Sequence, residues 1–148
     1  MNKKDYRIAI IGQGYVGLPL AIEFAMHFPV IGFDINCSRI EELNRGEDHT
    51  KEADLEKLEN VLQLAKDNQE NDMHTIGYIA SADTSVLEQA NIYIVTVPTP
   101  IDEFNAPDLR PLKSASEMIA KVIHQGDIVI YESTVFPGCT EEVCIPII

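Results

Sequence analysis

Positive charge is scarce in this sequence. Its 148 residues include 11 lysines and arginines against 24 aspartates and glutamates, a formal net charge of -13. A surface that acidic repels phosphate backbones at long range, so no nucleic acid partner is expected. Cysteine is scarce too. Cys37, Cys139 and Cys144 are odd in number and widely spaced, which provides no disulfide framework and suits a reduced, cytoplasmic setting. Long apolar runs are missing. None reaches the ~18 residues a membrane span needs, so no membrane partner is expected. The opening MNKKDYRIAIIG lacks the apolar stretch and small-residue cleavage site of a signal peptide. His27, His49, His74 and His124 are scattered, with no metal-ligand spacing, and read as surface groups before general bases.

What is present is the balance of a globular chain long enough for one domain. Short β-rich runs alternate with longer helical ones. Residues 7–11 (RIAII), 30–34 (VIGFD), 92–97 (IYIVTV) and 127–131 (DIVIY) read as strands, with a weaker one at 78–80. Continuous apolar strands suit a parallel sheet covered on both faces. Ala21, Phe24, Ala25 and Phe28 repeat at helical spacing, as do Leu112, Ala115, Ile119, Val122 and Ile123. Leu55, Leu58, Leu62 and Ala65 predict another helix. The alternation predicts an α/β domain of doubly wound, Rossmann type: a mainly parallel sheet with helices on both faces.

Residues 47–72 hold nine acidic and three basic side chains. They read as a solvated helix and loop, with an acidic partner-binding arm as the alternative. The last residues, Cys144 to Ile148, are apolar where domain ends are usually polar, which predicts more protein beyond them.

The strongest local signal is Gly12-Gln13-Gly14-Tyr15-Val16-Gly17. This G-x-G-x-x-G directly follows the first strand and opens the first helix. Gly12 permits the tight turn, Gly14 lets a diphosphate approach the backbone, and Gly17 lets helix and strand pack closely. Free amides at the helix start then face the phosphates. Asp34 ends the second strand, 22 residues after Gly12. A carboxylate there accepts from the adenosine ribose hydroxyls and repels a 2′-phosphate, which favours NAD over NADP. Arg39 either flanks the adenine or ribose or is an exposed helix arginine.

Two further segments lie past the carboxyl ends of strands, where ligands bind in open parallel sheets. In Val97-Pro98-Thr99-Pro100 the prolines stiffen the loop and fix the Thr99 hydroxyl. In Glu132-Ser133-Thr134, Ser133 either faces the site or caps a following helix.

Together these residues resemble the UDP-glucose/GDP-mannose dehydrogenase family along essentially the whole chain. IAIIGQGYVGLPLA is similar to its opening fingerprint. Asp34-Ile35-Asn36 with Arg39 resembles its adenosine segment. VPTP, Asp102 and Asn105-Ala106-Pro107-Asp108-Leu109 resemble its nicotinamide-side loop, and ESTVFPGCTEE its next loop. Within the family, PTPIDEFNAPDLRPLKSAS and the Glu-Ser-Thr-Val-x-Pro-Gly form look most like the branch acting on UDP-N-acetylhexosamines, including enzymes of capsular and Vi-type polysaccharide synthesis.

The resemblance implies a four-electron oxidation of a UDP-sugar C6 alcohol to a carboxylate by two NAD molecules in succession. A cysteine holds the aldehyde as a thiohemiacetal and water attacks the later thioester. It implies Gly12 to Gly17, Asp34, Asn36, Arg39, Val97, Pro98, Thr99, Ser133 and Thr134 as cofactor-binding residues. It also implies a supporting catalytic role for Thr134 and assigns none to Glu132, and no metal is expected. The family's nucleophilic cysteine, catalytic lysine and asparagine lie after the stretch present here. Cys37, Cys139 and Cys144 therefore read as structural. Residues 1–148 are expected to form the NAD-binding domain of a longer, homodimeric enzyme, inactive alone. The competing readings are a stand-alone NAD-sensing regulator, which would usually carry a basic face, and another dehydrogenase of the same fold.

Overall fold

The computed structural model describes residues 6–67, 75–101 and 106–148. Asp102, Asn105, His74 and the end of the acidic segment lie outside the described residues. Five strands form one sheet: β1 (Ile8–Ile11), β2 (Pro29–Phe33), β3 (Gly77–Ser81), β4 (Ile92–Val95) and β5 (Ile128–Tyr131). All neighbours pair in parallel, in the order β3-β2-β1-β4-β5. The helices are α1 (Gly17–Ala25), α2 (Cys37–Asn44), α3 (Leu55–Asp67) and α4 (Arg110–Ala120). The strand order reverses direction between β1 and β4, and that switch opens a crevice at the carboxyl ends of the strands.

Side chains alternate across β1 and divide the core into two layers. Ile8 and Ile10 pack with Leu18, Ala21 and Ile22 of α1, Leu43 of α2, and Leu58 and Val61 of α3. Ala9 and Ile11 face the other way, onto Leu112, Ala115 and Ile119 of α4, with Tyr93, Val95, Cys139 and Cys144. This is the doubly wound α/β arrangement that the strand–helix alternation predicts. No helix among the described residues is long and apolar enough to cross a membrane.

Three details differ from the sequence reading. The buried stripe of α1 is Leu18, Ala21, Ile22 and Ala25. Phe28 falls beyond the helix end, because it precedes Pro29 and a residue before proline is steered out of helical backbone. Val122 and Ile123 likewise follow the end of α4, in a turn that still packs on the core. The outer strand β5 is not covered on both faces: Ile128 and Ile130 are 42% and 37% exposed, while Val129 and Tyr131 pack inward. In the acidic segment, residues 55–67 form α3, which buries Leu58, Val61 and Leu62 and turns its charges outward, matching the solvated-helix reading.

Candidate cofactor site

The glycine turn is built by close backbone approach. Gly12 has φ +99, and a Cβ there would lie 3.0 Å from the Thr96 carbonyl oxygen. A Cβ on Gly17 would lie 1.8 Å from the Gly12 carbonyl oxygen and 2.5 Å from Thr96 Oγ1. The Thr96 hydroxyl fills that space, donating to the Gly12 carbonyl at 2.8 Å. Gly14 is different, since a Cβ on it would meet nothing within 4 Å. Its missing side chain serves no internal contact and leaves room for a ligand. The amides of Gly14, Tyr15 and Val16 make no hydrogen bond among the described residues, and Tyr15 and Val16 are exposed. Unpaired amides at the start of α1 suit an anion.

Asp34 stands at the tip of β2, half-buried. Its Oδ2 accepts from the Gln13 amide at 2.8 Å and its Oδ1 from the Asn36 amide at 2.9 Å. The carboxylate is thus oriented by backbone and keeps lone pairs for a further donor. It lines a groove of about 380 Å³ with Ile11, Gly12, Phe33, Ile35 and Val97 on one side and Arg110, Pro111, Ser114, Ala115 and Met118 of α4 on the other. The size and mostly apolar walls are those of a small-molecule cleft. Asp108 also borders the groove. The Arg110 side chain and amide hold its carboxyl down to about 2.

The remaining residues singled out from the sequence fall into three groups. Gln13 is fully buried and its side chain points away from the groove: Nε2 donates to the Ile10 carbonyl at 2.8 Å and Oε1 accepts from the Tyr78 hydroxyl at 2.8 Å. Only its backbone faces Asp34. Asn36 caps α2 through Oδ1, which accepts from the Ser38 and Arg39 amides. Arg39 is not the exposed helix arginine that the sequence left open, being 4% exposed. Its Nε donates to the Gln13 carbonyl at 2.9 Å, and its terminal nitrogens pair with Glu42 at 2.9 Å and Asp48 at 2.8 Å.

Past β4 and β5 the two loops are tied together. The Thr99 hydroxyl donates to the Thr134 carbonyl at 2.5 Å, and the Ser133 hydroxyl to the Val97 carbonyl at 2.7 Å. Ser133 therefore does not cap a helix. The next helical turn begins at Thr140, too far along for its hydroxyl to reach. Pro98, Glu132 and the Thr134 side chain are exposed beside this tie. Cys139 and Cys144 are buried in the core, as a structural reading expects, whereas Cys37 is exposed at the start of α2. No group of histidine, cysteine and carboxylate side chains among the described residues could hold a metal ion.

Sequence reasoning missed Thr96, Tyr78, Asp48 and the α4 wall of the groove. Only Asp48 carried a local signal. Asp-x-Thr is a turn pattern, and here Asp48 accepts from both the amide and the hydroxyl of Thr50.

With the glycine turn, the aspartate and the groove in place, comparison with known proteins decides the family. The NAD binding domain model of the UDP-glucose/GDP-mannose dehydrogenase family matches residues 6–148. The chain belongs to that family. NAD is its cofactor, and the open position at Gly14 and the free amides beside it fit a dinucleotide's diphosphate. A UDP-N-acetyl-D-glucosamine 6-dehydrogenase of Pseudomonas aeruginosa is 50% identical over 98% of this chain and 31% of its own length. One of Salmonella typhi is 47% identical over 97% of the chain and 31% of its length. Among solved structures, the UDP-D-ManNAc dehydrogenase from Pyrococcus horikoshii superposes with a TM-score of 0.82 at 35% identity, covering 95% of this chain and 31% of that one. The chain thus spans under a third of the length of these relatives.

Proposed function

We propose that this chain is the cofactor-binding part of a nucleotide-sugar 6-dehydrogenase that oxidises the C6 alcohol of a UDP-N-acetylhexosamine to a uronate, for surface polysaccharide synthesis. The observation that carries the reading is the pairing of an empty Cβ position at Gly14 with a backbone-oriented Asp34, which with Gly12 of the same turn lines one groove. The two relatives of highest identity named above, both UDP-N-acetyl-D-glucosamine 6-dehydrogenases, support the sugar class. When bound, NAD supplies the hydride acceptor, used twice to reach the acid.

The chain's residues bind and orient. Gly12 to Gly17 present amides to the diphosphate, with the Gln13 side chain bracing the turn from beneath. Asp34 accepts from the adenosine ribose hydroxyls. Ile35 and the first turns of α4 sandwich the adenine. The tied loops carrying Val97, Pro98, Thr99, Ser133 and Thr134 stand at the nicotinamide end, and Thr134 supports the reacting centre. The cysteine, lysine and asparagine that do the chemistry belong to the longer protein, so this chain alone binds cofactor without turnover. The full enzyme is a cytoplasmic homodimer, a setting that suits the free thiols of Cys37, Cys139 and Cys144.

Calorimetric titration with NAD and NADP tests the reading. NAD binds more tightly, and Asp34→Ala weakens it. Equal or tighter NADP binding overturns the role given to Asp34.

A further inference from the structure

Arg39 is the cation one would expect to welcome a 2′-phosphate, because an arginine close to the adenosine ribose is the usual way this fold accepts NADP. It sits one peptide from Asp34: its Nε is bound to the Gln13 carbonyl, and the amide of the same residue is bound to Asp34. Yet its guanidinium is already held by two carboxylates. Nη1 hydrogen-bonds Glu42, and Nη2, buried and without a hydrogen bond of its own, lies 2.8 Å from Oδ1 of Asp48, whose side chain is fully buried.

Asp48 is itself firmly placed. It accepts from Thr50 Oγ1 at 2.6 Å and from the amides of Thr50, Glu52 and Ala53 at 3.0 to 3.1 Å. Burial opposes its ionisation, but the Thr50 hydroxyl, the Ala53 amide and Arg39 outweigh that and hold its carboxyl well below the usual range. Glu42 is braced from outside by the backbone amide and ring of His49. The loop over 47–53 is therefore a clasp closed over Arg39.

We infer that Asp48 sets cofactor choice through Arg39, holding the guanidinium in the clasp so that Asp34 alone faces the 2′ position and NADP finds no cation there. Asp48 touches neither cofactor and is a positioning residue. The inference rests on the placement of the adenosine ribose at Asp34.

The test titrates the chain with NAD and with NADP in five forms: wild type, Asp48→Asn, Glu42→Gln, Asp48→Asn with Arg39→Ala, and Asp34→Asn. Removing one of two carboxylates around Arg39 lowers the ratio of the NADP to the NAD dissociation constant on the order of tenfold, by tightening NADP. The double variant returns the ratio to the wild-type value, because the released cation is gone. A merely structural role would weaken both cofactors alike and leave the ratio unchanged, and that result overturns the inference. Circular dichroism reports folding, and if Asp48→Asn does not fold, the ratio in Glu42→Gln decides. Asp34→Asn separates the two readings. If it leaves NAD affinity unchanged, the ribose placement fails. If it weakens NAD while the clasp variants keep the wild-type ratio, only the clasp fails.

Discussion

Gly14 and Gly17 belong to the same motif, yet the structure gives them opposite duties, and one pair of alanine substitutions separates them. A Cβ on Gly17 would be driven to 1.8 Å from the Gly12 carbonyl oxygen and 2.5 Å from Thr96 Oγ1. The first neighbour is backbone, so no rotamer change relieves it. Forcing a methyl into such a contact costs about 1–3 kcal/mol. Displacing the Thr96 hydroxyl from the Gly12 carbonyl adds about 1 kcal/mol. Alanine's better helix propensity returns at most about 1 kcal/mol. A net loss of about 1–4 kcal/mol lowers the melting temperature of a domain this size by roughly 3–12 °C.

Gly14→Ala meets nothing within 4 Å, so its stability changes by no more than about 0.5 kcal/mol, as for an open surface site. Its methyl instead occupies the approach to the unpaired amides of the turn. NAD affinity falls at least about tenfold, or 1.4 kcal/mol. Thermal melts followed by circular dichroism, paired with NAD calorimetry, read both quantities on one sample. A Gly14→Ala chain that binds NAD like wild type refutes the placement of the diphosphate. A Gly17→Ala chain that melts like wild type refutes the close packing of turn and helix.

Tyr78→Phe tests the brace beneath the turn. Burial pushes the Tyr78 phenol well above its ordinary value, so it stays a donor to Gln13 Oε1, and its loss strands that oxygen in the core. The expected cost is about 1–3 kcal/mol, read as a lower urea midpoint. Acid tests the Arg39 clasp. The folded pKa of Asp48 is depressed, so its contribution is fully present above the unfolded value of about 3.9 and is lost as pH falls through the folded one. Chemical denaturation at pH 7, 4 and 3 should show wild type losing stability on acidification more steeply than Asp48→Asn; parallel curves would contradict it.

The parts of the site that could be read from the chain are those whose causes are local. A strand's apolar run, a glycine that must take φ +99 at Gly12, and a carboxylate ending the next strand each announce themselves within a few residues. The parts that could not be read depend on partners brought together by the sheet. Gln13 looks like a polar residue in a phosphate loop, and its inward turn is decided by Tyr78, 65 positions away. That contact exists only because β2 separates the two and carries Gly32, where any Cβ would lie 2.3 Å from the Tyr78 hydroxyl. Ser133 carries a helix-capping residue type, but parallel pairing of β4 with β5 delivers the Val97 carbonyl, 36 positions earlier, to its hydroxyl first. Arg39 shows the consequence for function. Residue type and position predict a ribose contact, but burial and two carboxylates set what its charge can reach. On the clasp proposal, cofactor preference in this domain is written as much in the acidic loop after α2 as in the glycine turn before α1.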